Sequence, residues 1–175
     1  DLSYNEITSI PVNAFSFSPV VSVNLRDNPL TSLDNLSSAA NLESCTISNL
    51  PGITTDAGYA DISNLHHMKN LYATAANWTY IPDVSNSKLE YVDASSSPNL
   101  VDISSLADVI KSDPVVYNGT TTSATNAIYR DLIFNNCSNI TDTSMIAAFN
   151  AGKRIEIQAR LNLNTASGVE DLRLF

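Results

Sequence analysis

The chain of 175 residues predicts an α/β repeat, a solenoid of about eight turns built on a parallel sheet, and three observations lead there. Apolar residues recur at fixed offsets: with Asn5, Asn28, Leu50, Ala76, Ser97, Thr120, Cys137 and Arg160 as equivalent positions, the steps are 23, 22, 26, 21, 23, 17 and 23 residues. Polarity is carried by neutral side chains that bond to nearby backbone in short strands and tight turns, 20 Asn, 23 Ser and 14 Thr. Charged residues are only 15%. No Pro-rich or Gly-rich tract divides the chain, so residues 1–175 read as a single domain.

Taken in order, the elements begin with Leu2, Asn5 and Ile7, followed by Ile10, Pro11 and Phe15 where the chain turns back. The cleanest unit comes next, with Val20, Val23, Leu25, Asn28 and Leu30 over eleven residues. Looser copies keep its phase: Leu42, Cys45 and Ile47 with Ile53; Met68, Leu71 and Ala73; Leu89, Val92 and Ala94 with Leu100. A late copy runs Tyr129, Leu132, Phe134, Cys137, Ile140, Thr141 and Asp142, and a last one has Ile155 and Ile157 with Leu163. The register around Val115 and Tyr117 stays open. Helical spacing over Ser105 to Lys111 and Thr143 to Asn150 predicts two short helices between strands.

These units resemble the leucine-rich-repeat family, whose template L-x-x-L-x-L-x-x-N-x-L is met most closely by Val20 to Leu30. The copy ending at Asp142 resembles the cysteine-containing subtype. The resemblance implies strands stacked on a concave face, with loops, turns and short helices on the convex face. It also implies that the template Asn bonds backbone of adjacent turns; Ser97, Thr120 and Cys137 replace it in part, whereas Leu50 and Ala76 do not. Because the chain opens part-way through a unit, an N-terminal cap is expected to be missing, leaving a strand edge at Asp1 to Tyr4.

Composition excludes several functions. With 18 acidic and 9 basic residues the net charge is −9, which repels a phosphate backbone, so no nucleic acid is expected as partner. No apolar run reaches the ~18 residues of a membrane span, and no membrane insertion is expected. Neighbouring His66 and His67 lack a third ligand, Asp102, Asp108 and Asp113 lack calcium-loop spacing, and phosphate-cradling glycine motifs are absent. No catalytic residue, metal or cofactor is expected, and the chain reads as a non-enzyme. Four turns separate Cys45 from Cys137, roughly 19 Å of stacked strands, so both are expected as buried free thiols. Sequons start at Asn35, Asn77, Asn118, Asn136 and Asn139, about the number that 20 Asn give by chance in so Ser- and Thr-rich a chain. An extracellular or cell-surface location rests instead on the scarcity of Lys, the hydroxyl and amide side chains, and the resemblance of the first units to secreted ones.

Strand alternation supplies an exposed row. It comprises Ser22, Asn24 and Arg26; Ser44, Thr46 and Ser48; Asn70, Tyr72 and Thr74; Tyr91, Asp93 and Ser95; Asp131, Ile133 and Asn135; and Arg154, Glu156 and Gln158. From these, Asn24, Arg26, Thr46, Ser48, Asn70, Tyr72, Thr74, Tyr91, Asp93 and Ser95 are the candidate ligand-binding residues, with the two tyrosines near the centre. The expected function is non-catalytic recognition of a protein, peptide or glycan. The alternative is an architectural subunit or spacer that meets neighbouring subunits through the uncapped ends.

Overall fold

In Ser22-Val23-Asn24 the middle side chain is buried and its flanks face outward, and repetition of that three-residue pattern builds the sheet. A computed structural model describes residues 1–53, 59–106, 130–140, 159–162 and 172–173. Among the described residues, seven strands stand in one sheet in chain order: β1 (Ser22–Asn24), β2 (Ser44–Thr46), β3 (Asn70–Tyr72), β4 (Tyr91–Asp93), β5 (Arg130–Ile133), β6 (Ala159–Asn162) and β7 (Leu172–Arg173). Strands β1 to β6 run parallel, and β7 returns antiparallel to β6. Among the described residues helical structure is sparse: Ser105 and Leu106 are helical, as the spacing predicts, and a 3-10 turn at Leu36–Ser38 and α1 at Tyr59–Ser63, which it does not predict, stand elsewhere. The last two meet where Asp61 accepts the Ser37 amide at 3.1 Å and the Ser37 hydroxyl. The described residues thus form a largely parallel sheet with few helices, compatible with an α/β repeat.

Register follows the apolar residues. Val23 pairs with Cys45, Cys45 with Leu71, Leu71 with Val92 and Val92 with Leu132, so the inward positions form one row. A second buried row, Leu25, Ile47, Ala73, Ala94 and Phe134, lies two residues on. Every described buried side-chain polar atom has a hydrogen-bond partner.

Beyond the three-residue strands the ladder continues through loop amides. Leu25 N bonds Thr46 O at 2.8 Å, Ile47 N bonds Tyr72 O at 2.8 Å, Ala73 N bonds Asp93 O at 2.7 Å and Ala94 N bonds Ile133 O at 2.9 Å. Leu2 N to Asn24 O, at 2.8 Å, extends the same pattern to the chain's opening residues. Each unit then turns through a left-handed residue at one position: Tyr4, Asp27, Asn49, Ala75, Ser96 and Asn136, with φ between 51° and 60°. Three of the six are Asn or Asp at interior turns, the residue types that tolerate this conformation best after glycine. Gly52 has a different reason, since a Cβ there would stand 2.5 Å from the Leu30 carbonyl oxygen.

Two expectations are corrected. Strand β6 covers Ala159–Asn162 and sets Leu161 beside Leu132, so Arg160, opposite Asp131, lies on a strand position. That removes Arg160 from the set of Asn-equivalents, while the strand expected at Ile155 to Ile157, with Arg154, Glu156 and Gln158, lies outside the described residues. Strand β4 also pairs directly with β5, Tyr91 against Asp131, so the unit expected around Val115 and Tyr117 inserts no strand between them. Those two residues, Thr120 and the expected helix at Thr143 to Asn150 lie outside the described residues, as does most of the one at Ser105 to Lys111.

Candidate functional site

Backbone hydrogen bonding decides which side chains the sheet can display. In each unit the amide two residues past the strand's last outward position needs an acceptor, and the outward side chain often supplies it. Asp1 Oδ1 accepts from Ser3 N at 2.9 Å, Asn24 Oδ1 from Arg26 N at 3.1 Å and Asp93 Oδ1 from Ser95 N at 3.0 Å. Tyr72 and Ile133 cannot serve in that way. There the serine of the preceding unit takes over: Ser48 Oγ accepts from Thr74 N at 3.1 Å, and Ser95 Oγ from Asn135 N at 3.2 Å. The two apolar-bodied side chains stand on the sheet because the neighbouring serines satisfy the amides beneath them.

That function removes Ser48 from the displayed set. It is 3% exposed, and its hydroxyl also donates to Tyr72 O at 3.2 Å. Among the other candidates, Arg26 is exposed, and Asn24, Thr46, Asn70, Tyr72, Thr74, Tyr91, Asp93 and Ser95 are half-buried in outward positions. Arg26 is held at one end, its Nε 2.7 Å from Asp27 Oδ2 and its guanidinium 5.8 Å from the centre of the Tyr4 ring. The hydrogen bond to Asp27 raises the Arg26 pKa, while the Asn49 amide and then Arg26 lower that of Asp27.

At the centre, the sheet brings the two tyrosines together. Tyr72 lies opposite Asp93 and Tyr91 opposite Asn70, which sets the rings diagonally across β3 and β4. Their centroids are 5.0 Å apart and their planes inclined by 39°. Aromatic side chains reach across such diagonal pairs, and this one packs within the favourable range for tilted rings. Lys69, beside Asn70, pairs with Glu43 at 3.0 Å on the flank of the row.

The template-Asn position was legible only in part. Asn28 donates to Leu2 O at 2.8 Å and accepts from Ile7 N at 3.1 Å, tying the first unit to the second. Ser97 makes the corresponding bond to Ala73 O at 3.5 Å, and the Cys137 thiol approaches Ala94 O at 3.2 Å. Leu50 and Ala76 make no such side-chain bond. Instead, Ser97 Oγ accepts directly from Ala76 N at 3.1 Å.

Both cysteines are free and buried, as expected. Burial pushes the Cys45 thiol up to about 12 and raises that of Cys137, so neither is an activated nucleophile. His66 and His67 are exposed, and no group of His, Cys, Asp or Glu among the described residues is arranged to hold a metal. No helix among the described residues is long and apolar enough to cross a membrane. Compared with known proteins, the chain matches no family model, no curated protein and no solved structure.

Proposed function

We propose that this chain is a leucine-rich-repeat solenoid acting as a non-catalytic recognition module, outside the cell or at its surface, that binds a protein, peptide or glycan through the outward row of its sheet. The supporting observation is the Tyr72–Tyr91 pair, two large amphipathic rings in contact at the middle of a strand face that, Ile133 apart, is otherwise polar. Tyrosines so placed are preferred binding anchors, since they offer contact area at little entropic cost. The test is to immobilise the chain, identify what it retains from extracellular fluid and from an oligosaccharide panel, and repeat the binding with Tyr72→Ala/Tyr91→Ala. A loss of at least about 2 kcal/mol in a folded double variant is expected. Unchanged affinity defeats the reading.

One observation favours a second reading, that of an architectural subunit. Of the seven large hydrophobic residues exposed among the described residues, Leu2, Tyr4, Val12 and Phe17 lie in the first unit and Val21 at the start of the second, where a neighbouring subunit would cover them. Binding that survives the tyrosine changes and is lost on Phe17→Ser supports that alternative.

A further inference from the structure

We infer that the anchor recognised by the Tyr72–Tyr91 pair is a cationic side chain, a lysine or arginine of a protein or peptide partner, and this rests on the recognition reading above. The rings supply negative π faces at the centre of the sheet, and Asp93 adds a carboxylate directly across the strand from Tyr72. Its position is fixed rather than loosely solvated, because Oδ1 accepts the Ser95 amide at 3.0 Å. Aromatic face and carboxylate together select a cation over a neutral ligand, since each attracts positive charge and the two act from different sides.

The molecule builds this combination once for itself. Arg26 lies over the Tyr4 ring at 5.8 Å while Asp27 holds its Nε at 2.7 Å. Tyr72, Tyr91 and Asp93 offer the same two chemistries three strands further along. Charge complementarity acts in the same sense over a longer range, because a net charge of −9 draws basic partners toward the surface and repels acidic ones. Lys69, the neighbouring cation on the flank, is engaged by Glu43 at 3.0 Å. A neutral glycan would use the rings but gain nothing from the carboxylate's charge.

The test titrates the whole chain with a short amidated peptide containing two arginines, the same peptide with neutral citrulline in their place, and cellohexaose, following the Tyr72 and Tyr91 ring resonances by NMR. The arginine peptide is expected to shift both rings and the citrulline peptide neither. Asp93→Asn keeps an oxygen for the Ser95 amide while removing the charge, and should weaken arginine-peptide binding about tenfold. Asp83→Asn, an exposed carboxylate in the loop before β4, controls for net charge and should leave binding unchanged. Equal shifts with citrulline, or equal affinity in Asp93→Asn, overturn the inference. Should cellohexaose move the rings and the arginine peptide not, the cation inference falls while the recognition reading stands. If no probe moves them the inference also falls, and the recognition reading is then decided by whether the double tyrosine variant still retains the captured ligand.

Discussion

The first unit and the interior units follow one pattern yet differ in what lies beside them. Leu2 holds the place that Leu25 and Ile47 hold later, but it is 40% exposed where they are 1% and 2%. Asn5 holds the place of Asn28. Its amide reaches only Leu2 O and Ser3 O within its own unit, at 3.0 and 2.9 Å, and its side chain is exposed. Asn28 makes the equivalent local bonds to Leu25 O and Arg26 O and adds two to the unit before it. The same residue type therefore does half its work at the end and all of it inside. Burial and hydrogen-bond satisfaction at these positions come from the adjacent unit.

The largest test of that difference is a paired truncation. Leu71 is fully buried between Cys45 and Val92, and Leu71→Ala should cost about 2 to 5 kcal/mol by lost transfer energy and a residual cavity. At the end, Leu2→Ala should cost under about 1 kcal/mol, because solvent already reaches the side chain. Urea unfolding of both variants measures the gap. Equal losses would mean that Leu2 is covered in solution.

A smaller effect isolates the polar half of the comparison. Asn28→Ala strands the Ile7 amide and takes one of two side-chain donors from the Leu2 carbonyl, and should cost about 1 to 3 kcal/mol, whereas Asn5→Ala should cost less than about 1 kcal/mol. Hydrogen exchange at Ile7 sharpens the result, since its amide should lose protection in the Asn28 variant alone.

How far the sequence reached depended on whether alternation had one solution. Through Val23, Cys45, Leu71 and Val92 an apolar residue stands between polar ones, and these paired in the expected order, whereas Leu132 pairs with Val92 without the unit expected between them. Near the C-terminus, Ile155-Glu156-Ile157 and Leu161-Asn162-Leu163 offer the same alternation twice, and among the described residues it is Leu161 and Asn162 that pair with β5. Periodicity carries no information that separates them. The burial of Ser48 was hidden for another reason, because it depends on which residue the following unit places at position 72. A tyrosine there leaves an amide for Ser48 to accept, whereas an Asn or Asp would have capped its own. The contact between Tyr72 and Tyr91, by contrast, follows from strand register alone, and it was legible.

The smallest effect concerns the left-handed residue that closes each strand, and it tests whether the interior turns share one backbone. Asp27 and Asn49 occupy this position with side chains suited to it, but Ala75, at φ 53°, gains nothing from its methyl group there and pays the steric cost of Cβ against the carbonyl. Glycine removes that cost, roughly 1 to 2 kcal/mol, while its greater freedom in the unfolded chain takes back about half to one. Ala75→Gly should therefore stabilise the protein by up to about 1 kcal/mol, with the Ala75 N to Ser95 O bond of 2.8 Å retained. Two neighbours with ordinary backbone, Ala73→Gly and Ala94→Gly, supply the contrast: both are fully buried and should be destabilised. Tyr4→Gly at the end should show no gain either, because it also removes the ring beneath Arg26. Urea midpoints rank the four variants. An Ala75→Gly protein as weakened as Ala94→Gly would mean that this turn does not hold the left-handed conformation of its neighbours, and the shared closing geometry of the interior units would have to be given up.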